Sequence, residues 1–188
     1  VAAGVAELGT QTADFALARF LADGELDTTF DEDGWLLTDF ASTYDSGTAL
    51  QVQPDGKLVA LGDSSGDMGV ARYLPDGTLD ADFGEGGLLR LDFYTLDDSG
   101  NALLLQPDGK LLLAGNVHFC HETDFALARL TPNGGLDRSF EDDGLLLSYL
   151  VEINDLGLAL LQQPDGKLLL AGTIDNGSDD EFLIARYK

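Results

Sequence analysis

Positive charge is scarce in this sequence, as are cysteine, methionine, tryptophan and proline. Ten lysines and arginines stand against 34 aspartates and glutamates in 188 residues, which gives a net charge of −24. A chain this acidic, with no run of Lys or Arg, lacks the basic patch that binds a phosphate backbone. Nucleic acid and anionic membrane surfaces are therefore poor partners. One cysteine excludes an internal disulfide framework.

Long hydrophobic runs are also absent. The longest, such as 103–105 and 111–114, are far shorter than the roughly 20 residues of a membrane-spanning helix. The N-terminus lacks the basic and then apolar pattern of a signal peptide. A hydrophobic content of 44% with ten phenylalanines is that of a folded protein. We therefore expect a folded chain without membrane insertion.

What the sequence does contain is an internal repeat. The sequence of residues 14–19, DFALAR, returns as DMGVAR at 67–72, DFALAR at 124–129 and EFLIAR at 181–186. These copies are 53, 57 and 57 residues apart, and a QPDGK sequence recurs between them at 53–57, 106–110 and 163–167. Only the connection before the DFALAR-like segment varies in length, which is typical of loops that carry binding functions.

Each repeat predicts four short β-strands and no long helix. The Pro-Asp-Gly sequence favours a tight hairpin, and residues 15–20 alternate as a strand does. Four strands in about 55 residues, repeated along a chain, predict an all-β protein built as a β-propeller of four-stranded blades, with a β-solenoid as the alternative. The predicted organisation is one repeat domain over 1–188, made of a partial blade at 1–40, blades at 41–93 and 94–150, and a partial blade at 151–188.

The string from Asp124 to Asp137, followed by Phe140, Gly144 and residues 163–172, resembles the delta-60 repeat of bacterial proteins. The resemblance covers essentially the whole chain. It implies a propeller-type fold, usually within large secreted or surface proteins, and it implies no established activity. The family usually has small residues and glycine after the Phe, whereas acids follow Phe30 and Phe140 here.

An arginine near the end of the third strand is followed eight residues later by an aspartate in each complete repeat. The pairs are Arg19 and Asp27, Arg72 and Asp80, and Arg129 and Asp137. We expect bidentate ion pairs that pin each strand to its loop, because a planar guanidinium matches a carboxylate. Substrate chemistry would not need the same pair in every blade, so a structural role is favoured.

Two groups of residues have the side chains of metal ligands. The acidic loops with Asp31, Asp33, Asp142 and Asp143 offer the oxygen ligands that Ca²⁺ prefers, and solvated turn acids are the alternative. His118 and Cys120 are ligand types for Zn²⁺ or copper, although their spacing fits no strong motif. The sequence establishes no cofactor, and calcium is the first candidate.

The function predicted from these features is a noncatalytic binding or scaffold module, secreted or at the cell surface. Its binding-loop candidates are His118, Phe119, Cys120, His121, Glu122, Asp175, Asn176, Asp179 and Asp180. No nucleophile elbow or phosphate loop is present, but a hydrolase with a carboxylate or metal site at the propeller centre is the alternative. The expected partners are a second copy of the chain, joined through open strand edges, and a protein or glycan ligand.

The acidity predicts a response to salt. High Asp with only four lysines is the composition of a protein that stays soluble in concentrated salt, where its self-repulsion is screened. We expect the urea midpoint of unfolding to rise as NaCl is raised into the molar range. An equal midpoint in dilute buffer would contradict a high-salt habitat.

Overall fold

The computed structural model describes residues 1–7, 12–41, 44–93, 97–119, 122–148, 154–175 and 179–188. These residues form two compact units, Val1–Leu91 and Asp92–Lys188. The strands are β1 (Ala2–Glu7), β2 (Ala13–Ala18), β3 (Trp35–Thr38), β4 (Asp45–Val52), β5 (Leu58–Ser64), β6 (Asp67–Tyr73), β7 (Leu88–Leu91), β8 (Asp97–Leu105), β9 (Leu111–His118), β10 (Thr123–Leu130), β11 (Leu145–Ser148), β12 (Asn154–Gln162), β13 (Leu168–Asp175) and β14 (Asp180–Tyr187). A single turn, α1 (Glu141–Gly144), is the helix among them. No helix in the described residues is long and apolar enough to cross a membrane.

The first unit contains two antiparallel sheets in which neighbours in sequence are neighbours in space. The orders are β1-β2-β3 and β4-β5-β6-β7. Successive side chains of a strand point to opposite faces of the sheet, and the large apolar ones, such as Phe15 and Leu17 on β2, are buried. These side chains join Phe30, Phe40 and Tyr73 in one buried cluster. The hydroxyl groups of Tyr73 and Thr38 also form a buried hydrogen bond of 2.7 Å.

The second unit repeats the same arrangement. Its sheet consists of two antiparallel sets of neighbouring strands, β8-β9-β10-β11 and β12-β13-β14. A parallel bridge between Thr123 and Asn154 joins β10 to β12. Its core includes Phe125, Leu127 and Leu170. Phe125 is fully buried, whereas Phe182, at the same register position on β14, is 75% exposed.

The strands β4, β8 and β12, which we call the inner strands, contain a bulge at the same place in the repeat. The register shifts between Gly47 and Ala49, between Gly100 and Ala102, and between Gly157 and Ala159. A bulge brings the partner backbone unusually close. A Cβ on Gly62 would lie 1.8 Å from Ser46 O, and one on Gly172 would lie 1.7 Å from Leu156 O. The bulge therefore requires glycine on the partner strand.

The loop that follows each DFALAR-like strand is held by the arginine at the end of that strand. This arginine contacts a carboxylate, an aromatic ring and the backbone of the loop. Arg72 Nε donates to Asp80 Oδ2 at 2.7 Å, and its guanidinium lies 4.6 Å from the centre of the Phe83 ring. The Asp80 amide donates to the Arg72 carbonyl, and the Arg72 amide donates to Gly87 O. The first and third repeats have the same side-chain contacts, with Nε to Oδ2 distances of 2.7 Å for Arg19 and Asp27 and for Arg129 and Asp137, and with both guanidinium groups 4.8 Å from the ring centre.

The carboxylate in this motif is shared rather than given wholly to the guanidinium. Asp137 Oδ1 accepts hydrogen bonds from the Ser139 amide and hydroxyl, so only Oδ2 faces Arg129. Lys110, from the hairpin of the same repeat, adds an ion pair to Oδ2 at 3.0 Å. The hydrogen bond from Ser139 and these cations outweigh burial and hold the pKa of Asp137 well below its usual range. The expected two-oxygen fork is thus replaced by a network of donors.

We expect the Arg72→Met variant to lose about 3 kcal/mol of unfolding free energy, because it removes the more buried of the two cations that contact Asp80. Arg72 is 5% exposed and Asp80 is 4% exposed. Urea denaturation followed by circular dichroism measures the loss. Arg138→Met is the matched control, since Arg138 is exposed. Equal losses in the two variants would contradict the role of the pair.

Candidate functional site

Three carboxylates of the first unit meet where β2 begins, β3 ends and β4 begins. They belong to Asp14, Asp39 and Asp45, and each offers one oxygen that lies within 4.8 Å of the oxygens of the other two. The start of β2 and the end of β3 share an edge because these strands are antiparallel. A parallel bridge between Ala13 and Tyr44 then brings the start of β4 to that edge.

This acidic cluster is buried at its base and open at its rim. Asp45 is fully buried and its Oδ2 accepts the Phe40 amide at 2.9 Å. Asp39 is exposed, and its Oδ1 accepts the Ala41 amide at 2.7 Å. Asp14 is 9% exposed. Burial, followed by the charges of Asp39 and Asp45, raises the pKa of Asp14 above its ordinary value.

The corresponding aspartate of the second repeat has a cation beside it. Arg90 Nη2 lies 2.5 Å from Asp67 Oδ2 and also donates to Ser64 O. The residue at the position of Arg90 is Leu37 in the first repeat. The difference between Arg90 on β7 and Leu37 on β3 therefore decides whether the aspartate at the start of the neighbouring strand has a cation beside it.

The third repeat has a buried acid pair at this position. Asp124 begins β10 and Asp155 begins β12, next to the bridge between Thr123 and Asn154. Asp124 is 2% exposed and its Oδ2 has no hydrogen-bond partner among the described residues. Burial, followed by the charges of Glu122 and Asp155, raises the pKa of Asp124 to about 6. This carboxyl group therefore holds a proton at weakly acidic pH.

The described residues of the predicted His118 loop lie beside this acid pair. The Phe119 amide donates to Glu122 O at 2.8 Å, so Glu122 lies at the entrance to β10. The ring of His118 contacts Thr123 Oγ1 at 3.1 Å and Ser99 Oγ at 3.4 Å. Cys120 and His121 lie outside the described residues. The proposed metal pair of His118 and Cys120 stays a prediction.

The acidic turns predicted to bind calcium are engaged with their own backbone. Asp33 Oδ1 accepts the Trp35 amide at 3.2 Å, and Asp143 Oδ1 accepts the Leu145 amide at 2.9 Å. Asp31 and Asp142 have positive φ angles of 48° and 57°. All four side chains are exposed. Calcium binding at these turns stays a prediction.

The remaining loop candidates lie at the end of the last hairpin. Asp175 and Asp180 are cross-strand neighbours on β13 and β14, and Asp179 is exposed just before Asp180. Asn176 lies outside the described residues. Like charges opposite each other on a sheet repel, so these acids do not favour closure of the hairpin.

The clusters at the strand starts are the residues that the motif search missed. A signal was present: Asp14 and Asp45, Asp67 and Asp98, and Asp124 and Asp155 are each 31 residues apart. Asp14 meets Asp45, and Asp124 meets Asp155, through contacts between consecutive sheets within one unit, which the spacing alone does not reveal.

A sequence model of one family, described as "Domain of unknown function (DUF5122) beta-propeller", matches residues 1–30, 53–83, 106–140 and 163–188. The chain belongs to this family. The match falls on all four copies of the repeat and confirms an all-β, propeller-type fold over the solenoid alternative. A bacterial propeller-type repeat was thus predicted correctly at the level of the fold, while the family description carries no activity.

No curated protein matches this DUF5122 propeller. Among solved structures, the chain is similar to an endo-arabinase from Bacteroides thetaiotaomicron VPI-5482, with 11% identity, a TM-score of 0.48, and coverage of 98% of this chain and 69% of that one. It is also similar to an engineered GH43 glycoside hydrolase with endo-xylanase and exo-arabinofuranosidase activity, with 14% identity, a TM-score of 0.48, and coverage of 93% of this chain and 33% of that one.

These likenesses correct the functional prediction made above. The noncatalytic binding or scaffold module was wrong, because the solved structures that resemble the chain come from hydrolases. The hydrolase alternative stands closer to this finding. Identities of 11% and 14% and TM-scores of 0.48 assign no activity, substrate or residue role to the DUF5122 propeller.

The raised pKa of Asp124 predicts a stability that depends on pH. An unfolded Asp titrates near 3.9, so between about pH 4 and 6 the native state binds more protons. The contribution of Asp124 is therefore present below pH 4 and is lost as pH rises through 6. Relative to wild type, Asp124→Asn should gain about 1–2 kcal/mol of unfolding free energy on going from pH 4 to pH 7. Urea midpoints at both pH values measure this, with exposed Asp23→Asn as the control. A constant difference between Asp124→Asn and wild type would contradict it.

Proposed function

We propose that this DUF5122 propeller is part of a hydrolase that acts on glycosidic bonds through the carboxyl groups at the start of β10. Asp124 is the proton donor and Glu122 is the second carboxylate. The observation that carries the proposal is the burial of Asp124 beside two other acids, with no hydrogen bond to its Oδ2 among the described residues.

The chemistry of the site favours this class of bond. Cleavage of a glycoside needs an acid that protonates the leaving oxygen and a second carboxylate that assists water or the sugar carbon. Environments that push the pKa values of two carboxyl groups apart create such a pair. Burial, followed by the charges of Glu122 and Asp155, raises the pKa of Asp124 and keeps its proton, while Glu122 is partly exposed at the loop that varies between repeats.

Each group has a defined role in the proposed reaction. Asp124 gives its proton to the glycosidic oxygen as the bond from the sugar carbon to that oxygen breaks. Glu122 takes a proton from the water that attacks the same carbon, so both products carry hydroxyl groups. Asp155 is a positioning residue, because its charge keeps Asp124 protonated without touching the substrate.

Several other features stay proposals. Secretion or a surface location, and membership of the delta-60 repeats in particular, are supported by the recurring sequence alone. Association of two copies through strand edges is supported by exposed apolar side chains on β12 and β14. These are Leu158, Leu161, Phe182 and Ile184.

The test is hydrolysis of a panel of aryl glycosides and polysaccharides that includes arabinan and xylan, followed by release of reducing ends. We expect Asp124→Asn to lower kcat/KM at least 100-fold, since a positioned general acid contributes about 10² or more. The wild-type rate should fall as pH rises through about 6, where Asp124 loses its proton. At pH 7 the Asp124→Asn variant should be at least as stable as the wild-type protein.

Asp67→Asn is the matched control, because Asp67 occupies the same register position but pairs with Arg90. This variant should retain hydrolysis. Absence of turnover by the wild-type protein across the panel, or full activity of Asp124→Asn, would contradict the proposal.

A further inference from the structure

We propose that Asp14, Asp39 and Asp45 bind one Ca²⁺ that links the β1-β2-β3 sheet to the strand β4 of the next sheet. This site lies in another repeat than the proposed catalytic acids and does not depend on hydrolase activity. It also differs from the acidic turns around Asp33 and Asp143, where calcium was expected from the sequence.

The spacing of the oxygens fits calcium. One oxygen from each of the three carboxylates lies within 4.8 Å of the other two. Calcium binds oxygens at about 2.4 Å, so ligands on opposite sides of the ion are about 4.8 Å apart. This upper bound admits either ion, but Mg²⁺ demands near-ideal octahedral geometry, whereas Ca²⁺ tolerates irregular arrangements of carboxylate oxygens. A cluster assembled from the ends of three separate strands therefore suits calcium better.

Asp14 supplies the second observation that points to a ligand. Its side chain is more than nine-tenths buried, and no hydrogen bond or ion pair from a described residue reaches it. One of its oxygens faces the oxygens of Asp39 and Asp45. A buried carboxylate is costly without a compensating charge or donor. The arginine that compensates Asp67 in the next repeat is replaced here by Leu37.

The position of the cluster explains how an ion enters and what it does. Asp39 is exposed, so the ion reaches the buried Asp14 and Asp45 from the solvent side. Asp14 belongs to β2 and Asp45 to β4, and an isolated bridge between Ala13 and Tyr44 lies nearby. A bound ion adds a further link between the two sheets at this edge, with water completing its coordination.

The experiment is calorimetric titration of the metal-free protein with CaCl₂ and, separately, with MgCl₂, together with thermal unfolding in Ca²⁺ or EGTA. We expect wild-type protein to bind Ca²⁺ more tightly than Mg²⁺ and to gain several degrees in Tm with Ca²⁺. Asp14→Asn should bind one Ca²⁺ fewer per chain and lose most of that gain. Asp39→Asn, an exposed change that leaves the core intact, should weaken binding at least tenfold.

Asp23→Asn is the matched control, because it removes one carboxylate of the same type from an exposed turn. It should bind as many Ca²⁺ ions as wild type. The proposal is overturned if wild type binds no Ca²⁺, if Asp14→Asn and Asp39→Asn bind like wild type, or if Asp23→Asn shows the loss instead. Because the readouts are ion count and Tm, failure here leaves the hydrolase test untouched.

Discussion

The cost of burying a carboxylate governs how this protein is built. A charged oxygen removed from water needs a cation, a donor or a proton. Asp80 has Arg72 and Lys57, Asp67 has Arg90, and Asp124 holds its proton to higher pH. One repeated sequence thus satisfies the same requirement in different ways, and those differences distinguish the repeats from one another.

Two kinds of aspartate follow from this constraint. Those that follow a DFALAR-like strand, such as Asp137 after β10, are surrounded by donors of their own blade and stabilise it. Those at the strand starts, such as Asp14 and Asp124, depend on what the neighbouring blade places beside them. The ion-paired aspartates and the strand-start aspartates are therefore separate groups within each blade, and a substitution in one group need not disturb the other.

The sequence predicts the features that depend on neighbours within one repeat. The Pro-Asp-Gly hairpins, the scarcity of helix and the proximity of Arg72 to Asp80 all follow from local spacing and alternation. The acidic cluster does not, because Asp14 and Asp45 meet only through a bridge between consecutive sheets. The spacing likewise does not predict the ion pair of Lys57, at the end of a hairpin turn, with Asp80. Sequence patterns also drew attention to Asp33, whose carboxylate caps its own turn.

The bulge on the inner strands has a consequence for how such a chain can evolve. Gly62 and Gly172 face a carbonyl at a distance that leaves no room for a side chain. Each further copy built like these two adds another such position, so lengthening the array with such copies multiplies the sites at which a single substitution is damaging. Duplication of a blade requires no new sequence pattern for folding. It does raise the number of positions where a mutation is damaging, in proportion to the number of blades.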